Sequence, residues 1–193
     1  MNQKYSKQEI LLKGIYLLRR QGYHNTGIKE ILNECGIPKG SFYNFFKSKE
    51  DFGIQCLVLY GQSMLRLIQQ HTQDEELDPL ERLQAYFELS IATNEEEDMQ
   101  FGCLVMNSAT ELAGYNDAFA EINRQIFSVW LTELADCIQQ GQDLGEIRED
   151  YQAIELAEYL YTSIFGAYAN GKMKRSTQPL KLMLDAGMAF VSQ

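Results

Sequence analysis

Over 193 residues the chain carries 27 Asp and Glu against 17 Lys and Arg, a formal charge of −10. This length holds one or two domains and buries a sizeable core without disulfides or metal. The four cysteines, Cys35, Cys56, Cys103 and Cys137, form no CxxC pair, which argues against a zinc or disulfide framework and for a cytoplasmic chain with reduced thiols.

No stretch reaches the ~18 apolar residues of a membrane span, and the polar start MNQKYSKQE lacks the apolar core of a secretion signal. Pro38, Pro79 and Pro179 are the only prolines, each where a helix would begin. No strand-period run is flanked by a hairpin signal, so the chain reads as all-α.

The first predicted helix spans 6–21. Ile10, Leu11, Leu17 and Leu18 face inward around a small Gly14, Lys13, Arg19 and Arg20 stay in water, and Gly22-Tyr23 ends it. Thr26 is placed to cap a second helix with the apolar stripe Ile28, Ile31 and Leu32. Cys35-Gly36 closes it, because Gly tolerates a left-handed C-terminal conformation. Pro38 opens a third helix running to Phe46, too short and too polar to stand alone. Helix, glycine turn and short helix over residues 27–46 form a helix-turn-helix, whose second helix reads the DNA major groove. With the first helix behind it, this makes a three-helix domain over residues 1–50.

Charge supports that division. Residues 1–50 hold nine Lys and Arg against four acids, whereas residues 51–193 hold eight against 23. A cationic head on an anionic body is the footprint of a chain that meets phosphate at one end only.

The run GIPKGSFYNFFKSKEDF contains the glycine turn, Lys39-Gly40, two aromatic pairs and Lys49-Glu50. It resembles the signature of the TetR family of bacterial transcription repressors, with the likeness concentrated over residues 5–55. The resemblance implies a homodimer that binds double-stranded operator DNA at an inverted repeat and is released by a small hydrophobic ligand held in a helix-lined body.

For the DNA contact, Lys39, Lys47, Lys49 and the hydroxyls of Tyr43 and Thr26 are the phosphate candidates. Ser41 and Asn44 are the base-edge readers, Phe42 could touch a thymine methyl, and Gly40 lets the backbone approach the duplex. Phe45 and Phe46 read as core.

Residues 51–193 are expected to form a six-helix effector-binding and dimerisation domain. Ser48 caps a helix to about His71, with Glu50 and Asp51 in its first turn. Asp78-Pro79 starts the next helix, and NEEEDMQ at 94–100 reads as a charged loop. A short apolar helix follows with Cys103 in its first turn, then a long helix over 116–140, and finally helices over 152–170 and 178–191. The last two are apolar on more than one face. One face can cover the chain's own core, and the other is expected to meet a second copy in a dimer interface through 152–191.

Met106, Phe127, Trp130, Phe165 and Tyr168 are the candidate effector contacts, although aromatic residues at helical spacing also build plain core. The stretch GCLVMN is similar to the branch of the family that contains an N-ethylmaleimide-responsive repressor. That likeness implies an alternative: a repressor switched by redox chemistry or by covalent modification of Cys103, assisted by Lys172.

Neither His24 nor His71 belongs to an acid–base constellation, and no HExxH, GxSxG or phosphate-loop motif occurs. An enzyme, or a helical adaptor without DNA binding, is therefore a remote reading. No cofactor, metal or membrane partner is expected.

Overall fold

The computed structural model describes residues 5–97, 99 and 101–192. Within them the chain is all-α, built from α1 (Lys7–Gln21), α2 (Ile28–Cys35), α3 (Lys39–Phe45), α4 (Lys49–Thr72), α5 (Pro79–Glu96), α6 (Leu104–Leu112), α7 (Asp117–Asp143), α8 (Ala153–Lys174) and α9 (Gln178–Val191). The one β feature among the described residues is an isolated antiparallel bridge between Ile147 and Ser192.

Local chemistry sets most helix ends. Gly36 closes α2 in the left-handed region at φ 65°. The Ser48 hydroxyl accepts the Asp51 N–H at 3.0 Å and so caps α4. The Asp78 N–H donates to the Glu81 carboxylate at 3.2 Å, one half of a capping box at the start of α5.

Some ends differ from the sequence reading. Gly27, not Thr26, is the cap residue of α2, and Cys103 is the cap residue of α6 rather than part of its first turn. Helix α5 continues to Glu96, so the acidic run expected as a loop begins inside a helix. Asp98 and Gln100 of that run lie outside the described residues. Gly141 does not stop α7, because its missing side chain admits Ile147, whose Cδ1 would lie 2.5 Å from a Cβ there.

The chain divides into two compact units. The first holds the residues through Ser63 together with Cys103–Ile126, and the second holds Met64–Gly102 with Phe127–Gln193. A boundary at residue 50 follows the motif, whereas compactness follows packing. Helix α6 lies on α1 and so joins the first unit.

In the first unit the core is aromatic. Phe42, Phe46 and Phe52 are fully buried, with ring centroids 5.0–5.6 Å apart. Helix α1 approaches α4 through Gly14, where a Cβ would strike the Phe52 ring and come within 2.8 Å of Cys56 Sγ.

In the second unit α9 packs on α8 and α5. Leu156, Leu160, Tyr161 and Ile164 of α8 and Leu180, Leu184 and Val191 of α9 are all buried within the single chain. The chain's own core thus uses more of these two apolar helices than their periodicity suggested. Tyr159, Leu182 and Ile154 remain exposed.

Gly14→Ala should destabilise the protein by about 1–3 kcal/mol, because both atoms in the way are buried in a packed core. Thermal unfolding checks this. A melting point equal to that of the wild type would mean that α1 and α4 are not held at this distance.

Candidate DNA interface and effector site

Helix α3 is seven residues long, about half of the ~12–15 residues that an isolated helix needs in water. It is positioned by its inward side chains. Phe42 and Phe46 lock it to Phe52, and the T-shaped Phe42–Tyr43 pair sets Tyr43 at the rim. Lys39, Gly40, Tyr43, Asn44 and Lys47 are then exposed, and Ser41 is half-exposed. They present one face bearing cations, hydroxyls and an amide. Lys39 Nζ lies 6.0 Å from the Tyr43 ring centroid, so its charge stays on that face.

Two sequence candidates leave the set. Thr26 is 0% exposed, and its hydroxyl donates to the Gly22 carbonyl at 2.7 Å, so it braces the entry to α2 and cannot reach a phosphate. Phe42 is 0% exposed and cannot touch a thymine methyl. Aromatic spacing could not say which ring of the pairs faces inward. Lys49 is half-buried, with its ammonium 4.1 Å from the Tyr23 ring centroid. Burial pulls its pKa below the usual lysine value, opposed by the charge of Glu111. A phosphate would have to share this cation with the ring.

Sequence reasoning missed Glu111. Its carboxylate, near the end of α6, accepts the Tyr23 N–H at 2.8 Å and the His24 N–H at 2.6 Å. Gly22 makes this possible. Its φ is +82°, and a Cβ there would lie 2.8 Å from the Glu111 carboxylate. His24 also stacks on Tyr115 and hydrogen-bonds its hydroxyl. The loop that leads into the helix-turn-helix is thereby held by the far end of α6. Only the fold brings residues so distant in sequence together.

Cys103 begins the same helix. It is half-buried, and burial pushes its thiol up. Against that, it accepts hydrogen bonds from the Met106 and Val105 backbone and from Tyr60, and Arg19 adds positive charge. The Arg19 guanidinium lies 5.9 Å from the Tyr60 ring centroid. Arg19 is half-buried, not in water as its position in α1 suggested. The other thiols are also raised by burial. Cys56 is well above the ordinary value, Cys137 is pushed up to about 11, and Cys35 is raised despite the nearby Lys13.

The effector candidates are distributed over both units. Met106 is buried in α6 of the first unit, while Phe127, Trp130, Phe165, Tyr168 and Lys172 belong to the second. Trp130 and Phe127 pack on Tyr161, with centroids 5.7 and 5.3 Å away. That is core packing, as one reading of their spacing allowed. Tyr168 is different. Its hydroxyl bonds Ser90 at 2.7 Å and accepts from the Asn94 amide at 2.9 Å. Asn94, Glu95, Met99, Lys172, Arg175, Ser176 and Thr177 line a cavity of about 730 Å³ in the second unit. Of the sequence candidates only Lys172 reaches it.

Comparison with known proteins agrees with this architecture. Residues 10–53 match the family model described as bacterial regulatory proteins of the tetR family, and residues 79–186 match that of the tetracyclin repressor-like C-terminal domain. The HTH-type transcriptional repressor DhaR of Mycobacterium sp. (strain GP1) is 34% identical over 92% of this chain and 88% of its own length. The crystal structure of a regulatory protein TetR from Rhodobacter sphaeroides superposes with a TM-score of 0.90 at 28% identity, covering 95% of this chain and 97% of that one. The reduced form of E. coli NemR gives a TM-score of 0.88 over 95% of both chains at 23% identity, which is a likeness of fold.

Two substitutions on the exposed face of α3 should separate positioning from reading. Lys39→Ala should weaken binding to all duplexes alike and lower the salt slope by about one. Asn44→Ala should relax base preference at one position of each half-site instead. Quantitative binding to a randomised duplex library distinguishes the two, and an unchanged preference in the Asn44 variant removes it from the readers.

Proposed function

Because the chain belongs to the TetR family of bacterial regulatory proteins and is a DNA-binding transcriptional regulator, we propose that it is a homodimeric repressor. In this reading it occupies an inverted-repeat operator and leaves it when a small, largely apolar ligand binds its helical body. The observation that carries this is the exposed face of α3, where Lys39, Tyr43 and Asn44 stand on the cationic segment of an otherwise acidic chain. A two-fold dimer presents two such faces, which is why the operator should be an inverted repeat. The residues proposed for contact are Lys39, Gly40, Ser41, Tyr43, Asn44 and Lys47, with Lys49 at the edge. Action on an operator implies a cytoplasmic protein.

The dimer is proposed to form through α8 and α9. Between these helices lies a groove of about 540 Å³ lined by Tyr159, Gly166, Ala167, Leu182, Met183 and Gly187 among others. Leu182 and Tyr159 are both exposed and line the same groove, and contiguous exposed apolar surface of this kind marks interaction sites. The small residues allow two helix pairs to approach closely. In this reading the uncovered face is one half of a four-helix interface whose other half is the same surface.

A second reading is favoured by one observation: Cys103 and Glu111 sit at opposite ends of α6. An electrophile adduct on Cys103 would shift the helix that holds the Tyr23 and His24 amides. Its thiolate would be supported by the Val105 and Met106 N–H groups, Tyr60 and Arg19, although burial opposes ionisation. Lys172 belongs to the second unit and is assigned to the cavity instead.

Fluorescence anisotropy with the duplex upstream of its own gene tests the reading, and sedimentation of the free protein tests the dimer. Saturable binding to an inverted repeat by a dimer, steeply weakened by salt, is the expected outcome. Leu182→Glu should give a folded monomer that binds the operator at least tenfold more weakly. A monomeric wild type at micromolar concentration with intact helix content overturns the interface. Release of wild type but not Cys103→Ser by an electrophile would select the second reading. Equal release of both variants, or release of neither, removes it.

A further inference from the structure

We propose that Glu111 is a positioning residue for operator binding. With Tyr115 and Asn116 it clasps both ends of the helix-turn-helix to the corner between α6 and α7, and this clasp sets which spacing of half-sites the protein accepts. The inference rests on the dimeric reading above, since spacing has meaning only for two linked recognition helices.

The helix-turn-helix is entered through the loop at residues 22–26 and left at the start of α4. Its entry meets the end of α6. The Glu111 carboxylate accepts the Tyr23 N–H at 2.8 Å and the His24 N–H at 2.6 Å, and charge-assisted bonds of this kind are stronger than neutral ones. Gly22, at φ +82°, has no Cβ to push that carboxylate away. His24 stacks on Tyr115 and hydrogen-bonds its hydroxyl.

The exit meets the same corner. Asn116 Nδ2 donates to Glu50 Oε2 at 3.3 Å, while Asn116 Oδ1 accepts the Phe119 N–H at 3.1 Å and caps α7. Phe119 is fully buried and meets Tyr23 edge-on, with ring centroids 5.0 Å apart. Gly53 of α4 admits both rings, since a Cβ there would lie 2.9 Å from each. Lys49 Nζ lies 4.1 Å from the centroid of the same Tyr23 ring. Tyr23 thus joins the entry, the exit and the corner.

Two fastenings at one corner complete what the aromatic core begins. Phe42, Phe46 and Phe52 hold α3 against α4, but holding that pair on α6 and α7 takes contacts to those helices. Hydrogen bonds are directional, so bonds at both ends of the segment oppose its rotation on the corner. In a two-fold dimer, rotation of each recognition helix changes the distance between the two. A protein whose helices rotate freely accepts several spacings, each more weakly, because the second half-site is met at a lower effective concentration. A single half-site does not sense the difference.

The experiment compares the full chain with its Glu111→Gln variant on three kinds of duplex. These are the inverted repeat upstream of its own gene, the same repeat with one base pair added to or removed from its centre, and a single half-site. Gln keeps the length of the side chain and one acceptor, but turns an amide donor toward the second backbone N–H. Glu111 is half-exposed, so the variant should fold, and thermal unfolding checks this. By charge alone, removing an acid should tighten binding to DNA. The clasp predicts the reverse on the unaltered repeat: about tenfold weaker binding, the size of one charge-assisted hydrogen bond. Half-site binding should be unchanged, and the loss should be smaller on the altered spacings. The Tyr23 and His24 amide protons should move upfield in the NMR spectrum. Asn116→Asp keeps the cap of α7 but sets a carboxylate against Glu50, and should act in the same direction.

Equal losses on the repeat and the half-site would mean that Glu111 serves only the shape of the loop, and the spacing role falls. Undiminished binding of the repeat, or an unchanged preference among the spacings, overturns it as well and leaves the dimeric repressor standing. Should Glu111→Gln melt below the assay temperature, Asn116→Asp decides by the same criteria. If the wild type itself binds the repeat no better than a half-site, the dimeric reading fails and the spacing role falls with it.

Discussion

A seven-residue recognition helix cannot hold its own shape, so this protein depends on the aromatic contact that holds it. Phe42 on the back of α3 and Phe46 just after its end pack onto Phe52 of α4, and the absence of a side chain at Gly14 lets α1 close over Phe52. The groups proposed to meet DNA are held in place by the burial of those rings. The division of labour is strict. On one short helix, one face serves the core and the other is the face proposed for the duplex, and a residue such as Phe42, 0% exposed, cannot do both.

The rest of the first unit extends this constraint. Glu111 holds the backbone of the loop before α2 with two short charge-assisted hydrogen bonds. Lys49 lies on the Tyr23 ring in the same neighbourhood, where the charge of Glu111 partly offsets its burial. These contacts connect the helix-turn-helix to α6, whose other end is Cys103. A short helix with a polar group at each end is a natural lever, since a rigid element carries a displacement at one end to the other.

The second unit solves a different problem. Its helices bury most of their apolar surface against one another, including much of what periodicity suggested for a partner. What remains outside is a groove of small and apolar residues on α8 and α9. What remains inside is a cavity whose lining combines cations, strained backbone and an unsatisfied amide oxygen. The costs gathered at that cavity have no counterpart in the well-packed cluster around Trp130 and Tyr161.

The amino-acid sequence by itself determined the all-α fold, the helix-turn-helix and most helix ends, because periodicity and caps such as Gly36, Ser48 and Asp78-Pro79 act within a few residues. It also placed Phe46 in the core and the cationic end at the recognition helix. Tertiary structure decided what depends on partners distant along the chain. Thr26 turns inward to Gly22, Phe42 rather than Phe45 is fully buried, Arg19 lies over Tyr60, and Glu111 reaches the Tyr23 and His24 amides. The same holds for the cavity. Asn94, Met99 and Arg175 carry no motif, and they come together only once α5, α8 and α9 have packed.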